Sequence, residues 1–154
     1  PCADGGGFSY QAGSAVDGSA TAQGLVGLVG PMPVSGPRKL TARAACTNTA
    51  KAKAVSYLSS ALASAGVLTS ATGGTDYSNT ATAVLGLVSA GQGRAAVAKA
   101  TSTLKANATS YVTGDGTSPG AAGLLLMVAE ATGSKPTAFG GVDLVRTLNA
   151  SMRK

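Results

Sequence analysis

Residues 73–91, GGTDYSNTATAVLGLVSAG, decide how this chain folds. Glycines bound the stretch, and small and apolar side chains fill it. Ser78 or Asn79 is placed to accept the first free amides of a helix, and Gly91 suits the left-handed turn that ends one. The span between, about Ser78 to Ala90, carries no charge, so the helix is expected to be buried nearly all round. The alternation of a surface strand is missing here and throughout the chain.

The same unit recurs on either side. SATAQGLVGLVG (19–30) and PGAAGLLLMVAEATG (119–133) align with NTATAVLGLVSAG (79–91). Leu85 to Leu125 is a step of 40 residues, and Leu25 to Leu85 is 60. The Pro-rich excursion PMPVSGPRKLTARAAC (31–46) accounts for the longer step.

Six helices follow from this reading. The first runs from about Asp17 to Val29 and stops at Gly30-Pro31. The second, about Asn48 to Ala65, puts Val55, Leu58, Ala61, Leu62 and Ala65 on one face and leaves Lys51 and Lys53 outside it. The third is the stretch already quoted. The fourth, about Arg94 to Val112, carries a stripe of Val97, Leu104, Ala108 and Tyr111. The fifth has Ser118 as cap and Pro119 in its first position. The sixth begins near Val142, with Asp143 in its first turn and Arg153 and Lys154 at the opposite pole of its dipole. Helices apolar all round thus alternate with amphipathic ones. A period near 40, built from one buried and one outer helix, describes three stacked αα-hairpins in a curved helical solenoid. The fold class is all-α, one domain over 1–154 with a Pro-rich insertion at 30–46.

Charged residues are 12% of the chain, against about 25% in ordinary domains, while hydrophobic residues reach 44%. Much of that apolar content is Ala, and there are only six aromatics and no Trp. A core of small side chains gains density only if its helices approach closely. The net charge is +6, and five of the 12 basic residues, Arg38, Lys39, Arg43, Lys51 and Lys53, fall within one short stretch. Such a patch would suit an anionic cell-wall polymer or a membrane surface. The plainer reading, which is preferred, is the solvated start of a helix. Nucleic acid is disfavoured, because no aromatic is interleaved with these charges and no binding motif is present. No apolar run is long enough to span a membrane.

Two cysteines, Cys2 and Cys46, lack any metal-ligand spacing. They read as one disulfide in an oxidising compartment, which implies a secreted or cell-surface protein. Closing that loop would stabilise the fold by roughly 4 kcal/mol. The other reading is two buried free thiols.

These residues resemble the α/α-toroid proteins with prenyltransferase and squalene-oxidase type repeats, and more narrowly their secreted, Ala- and Gly-rich actinobacterial members. DGGGFSYQAGSAVDGSATAQGLVGL (4–28), GGTDYSNTATAVLGLVSAG (73–91) and TGDGTSPGAAGLLLMVAEATGSKPTAFGGVDLVRTLNA (113–150) carry the resemblance. It implies about half a toroid, since a full ring closes about six hairpins and this chain supplies three. The end hairpins would then keep uncovered faces, and the charge-free first helix is a poor cap. A homo-oligomer or polymer is the expected consequence.

The chemistry of catalytic toroids is not legible here. Squalene-type cyclases carry an Asp-rich acid motif, whereas no two acidic residues here are close enough to form one. Zinc-dependent prenyltransferases use Asp, Cys and His, and this chain has no His. The Cys-Gly-Glu-Gln motif of thioester relatives is matched at neither cysteine. The usual base of a nucleophilic triad is missing as well. Glu130, the only glutamate, reads as a helix-rim residue ahead of a tuned acid. Gly73-Gly74-Thr75-Asp76 and Gly114-Asp115-Gly116 hold one carboxylate each, too few for a calcium site. No enzyme, cofactor or metal is therefore expected.

The expected function is a secreted structural or interaction module that self-associates. The alternative is a small-molecule or glycan-binding module using the concave face of the array. In that case Tyr10 and Tyr77 would be the ligand-face aromatics, while Tyr57 and Tyr111 pack between helices.

Overall fold

The computed structural model describes residues 6–9, 11, 13–30, 40, 50–70, 72–114, 116 and 118–152. Among them the fold is all-α, as the periodicity requires. Seven helices follow in order: α1 (Gly18–Val29), α2 (Ala50–Ala65), α3 (Tyr77–Ala90), α4 (Arg94–Ala106), α5 (Ala108–Thr113), α6 (Pro119–Thr132) and α7 (Leu144–Ser151). Two very short antiparallel hairpins precede α1 and α3. In the first, β1 (Phe8–Ser9) pairs with β2 (Val16–Asp17); in the second, β3 (Leu68–Thr69) pairs with β4 (Thr75–Asp76). Two-residue strands are too short to register as alternation, so the sequence pattern did not announce them.

Each hairpin delivers an aspartate to the head of a helix. Asp17 accepts the amide of Ala20 at 2.7 Å and Asp76 that of Asn79 at 2.9 Å. Asp143, reached from the Phe139–Val142 bridge, accepts that of Arg146 at 2.9 Å. These carboxylates satisfy amides that have no partner within the helix. The expected cap at Ser78 or Asn79 therefore moves back to Asp76, because the hairpin holds Asp76 just outside the helix and frees its side chain. Four residues beyond each aspartate stands a threonine. The hydroxyls of Thr21, Thr80 and Thr147 donate to the carbonyls of Asp17, Asp76 and Asp143 at 2.6, 2.6 and 2.8 Å. In the first two cases the same oxygen accepts a strand amide, from Phe8 or Leu68, at 2.8 Å. Both threonines are fully buried, so these bonds satisfy polar groups that water cannot reach.

Packing follows from the small side chains. α3 lies between α1 and α6 and also packs on α4; α2 packs on α1 and α4, and α7 on α6. The three aligned leucines, Leu25, Leu85 and Leu125, are at most 1% exposed. Gly86 lets α1 approach α3, since a Cβ there would stand 3.2 Å from Leu25. On the other side of the core, Lys99 of α4 donates to the carbonyls of Ala63 and Ser64, closing the open end of α2.

Two helix limits depart from the sequence reading. The expected fourth helix breaks at Asn107, whose side-chain amide donates to the Thr103 carbonyl at 2.8 Å and competes with the backbone ladder. Asp143 caps the last helix from outside instead of lying in its first turn. Arg153 and Lys154 lie outside the described residues.

Candidate functional site

The residues singled out by sequence are not gathered at one place. Cys2, Cys46, Arg38, Lys39, Arg43 and Tyr10 lie outside the described residues, so neither the disulfide nor most of the basic patch has a structural account. Lys51 is exposed on the first turn of α2, and Lys53 is half-buried beside Gly6. Tyr77 lies against Tyr111, with ring centroids 5.6 Å apart and planes tilted by 54°. Both are half-buried against the core, as is Tyr57. Glu130 is exposed on α6, as a helix-rim residue should be.

A polar seam that the sequence reading did not single out joins the heads of α1 and α3. Asp76 accepts from the Ser19 hydroxyl at 3.1 Å and from the Asn79 side-chain amide at 2.8 Å. Asn79 in turn accepts from Gln23 at 3.2 Å. Partial burial pushes the Asp76 carboxyl up, but the hydrogen bonds from Asn79, Ser19 and Ser78 outweigh it and leave it below its ordinary value of 3.8. The spacing Asp-x-x-x-Thr at 17–21, 76–80 and 143–147 marks the three capped helix heads and so places Asp76, but no local spacing pairs it with Ser19. The seam's hydrogen bonds tie one helix to the other, which makes it a clamp.

Several large apolar side chains are also left exposed. Leu28 on α1 is 45% exposed, and Met127 on α6 and Val145 on α7 are each 38% exposed. Met152, just past α7, is 73% exposed. These residues lie on helices that flank α3 on its two sides or extend from that flank. Gly27 on α1 and Gly120 and Gly123 on α6 add to the pattern. A Cβ on any of them would meet nothing within 4 Å, so packing within the chain does not call for glycine at these positions. Glycine inside a helix costs about 0.5–1 kcal/mol relative to Ala. Among the described residues no helix is long and apolar enough to cross a membrane, and no three of His, Cys, Asp and Glu are grouped to hold a metal ion.

Comparisons with family models, with curated proteins and with solved structures find no match to this chain.

Proposed function

We propose that this chain is a non-catalytic extracellular interaction module, built as three stacked αα-hairpins of a partial α/α-toroid, that self-associates through its two flanking sides. The observation that carries the reading is the exposure of Leu28 on one flank of α3 and of Met127 and Val145 on the other. Supporting the stacked arrangement, α1, α3 and α6 neighbour one another in chain order, α2 packs on α4, and the same aspartate–threonine head recurs.

The partner is a second copy of this chain. Copies that each carry +6 repel one another wherever their charges face. α1 carries no charge from Gly18 to Val29, which makes it the surface on which two like-charged copies approach at least cost. Contact between unlike flanks propagates head to tail, giving a ring or a fibre.

Sedimentation velocity over a wide concentration range tests this. The wild type should form concentration-dependent assemblies that Leu28→Lys reduces to monomer. A wild-type monomer at its solubility limit would overturn the reading.

A further inference from the structure

Beyond self-association, we propose that a cleft along α4 binds a hydroxylated organic molecule with two anionic groups, one held by Arg94 and the other by Lys105. The cleft has a volume of about 300 Å³ and lies between one face of α4, the end of α6 and Leu40, at the small end of the range for ligand sites. Arg94 and Lys105 line it eleven residues apart on the same helix, about 16 Å along the axis. Both side chains line the one cleft, so an extended ligand lying along α4 meets a cation at each end. Among the described residues no carboxylate lines the cleft and neither cation has an acidic partner.

Each cation is braced. Arg94 donates from Nε and Nη2 to the Leu40 carbonyl at 3.2 and 2.8 Å, which fixes the guanidinium and leaves its other N–H groups free. Lys105 Nζ stands 5.5 Å from the ring centroid of the fully buried Phe139. This arrangement holds the ammonium in place without neutralising it. Two fixed cations without counter-charges favour an anion that satisfies both.

Hydroxyl groups stand between the charges. Thr101, only 7% exposed, lines the wall, and its Oγ1 has no hydrogen-bond partner. Such an oxygen is a cost that rotation about χ1 toward a ligand would relieve. Ser102 lines the same face of α4, and Thr132 and Ser134, bonded to each other at 3.0 Å, line the opposite wall. Leu40, Val88 and Val97 add an apolar surface for a carbon skeleton. The ligand so described has two carboxylate or phosphate groups on a short hydroxylated chain.

Isothermal titration of the intact chain with glucarate, with fructose 1,6-bisphosphate and with neutral sorbitol tests the assignment. One or both of the anionic ligands should bind and sorbitol should not; which of the two binds tells carboxylate from phosphate. Arg94→Gln and Lys105→Gln should each weaken binding about tenfold, while Lys51→Gln, which removes an equal charge outside the cleft, should leave it unchanged. Thr101→Val should weaken binding severalfold while raising the melting temperature, a pair of effects that a purely structural role does not produce. Equal binding of sorbitol, equal loss from Lys51→Gln, or no heat from either anionic ligand at millimolar concentration would overturn the proposal.

Discussion

The hydroxyl of Thr80 accepts the backbone amide of Leu68 at 2.8 Å, twelve residues earlier in the chain, while donating to the Asp76 carbonyl. One buried oxygen thus joins strand β3 to helix α3. Thr80→Val keeps the shape and removes both bonds, leaving the Leu68 amide without its partner. The cost should be roughly 1–3 kcal/mol, read as a lower urea midpoint. Thr80→Ser keeps the hydroxyl and should recover most of the loss. Equal midpoints for Val and wild type would remove the lock from the account.

Two glycines should respond in opposite directions to the same substitution. A Cβ at Gly140, where φ is 58°, would fall on the carbonyl of Lys105. Backbone cannot yield as a side-chain tip can, so Gly140→Ala should destabilise by about 2 kcal/mol or more. At Gly123 the added methyl meets open space, and Gly123→Ala should stabilise the monomer by roughly 0.5–1 kcal/mol. Thermal unfolding of the two variants beside wild type decides both signs.

Acid should loosen the α1–α3 seam. The Asp76 carboxyl titrates below its ordinary value of 3.8 in the folded chain. Its contribution to stability is therefore present above that value and is lost as pH falls through the depressed folded value. Asp76→Asn lacks this titration. The stability gap between wild type and variant should accordingly shrink as pH is lowered from 7 to about 2. A gap independent of pH, measured by urea unfolding at each pH, would contradict the assignment.

If Met127 on α6 joins Leu28 on α1 at one copy-to-copy contact, charges placed at the two sites should each disrupt assembly. Met127→Lys and Leu28→Lys should both shift sedimentation toward monomer without altering helical content, because each side chain is partly exposed. A head-to-tail contact has a further consequence. A mixture of the two single variants still offers one intact flank on each chain, so it should form dimers where either variant alone forms none.

Much of the fold was legible because burial of an uncharged helix leaves a plain trace in composition. The runs around Leu25, Leu85 and Leu125 announced three helices whose leucines are all in the core, but only α3 is buried along most of its length. α1 buries just Thr21, Ala22 and Leu25 and leaves a face open, because nothing among the described residues packs on its outer side. The cap of α3 was misplaced by two or three residues. Several residue types can cap a helix, and only the β3–β4 pairing decides that Asp76 stands outside it. The break at Asn107 was hidden for a related reason: the apolar stripe continues across it through Ala108 and Tyr111. The cleft was less legible still. Nothing in the spacing of Arg94 and Lys105 marks a site until Leu40, Phe139 and the end of α6 stand beside them.

The residue pattern by itself determined that the chain is helical, which faces are apolar and where the connections fall. Those properties depend on neighbours three or four positions away, so periodicity records them. Only tertiary structure decided that Thr80 would serve Leu68, that Gly140 would touch Lys105 and that two cations would share a cleft. Each of these joins residues from separate elements, and local spacing carries no record of which distant groups packing will bring together.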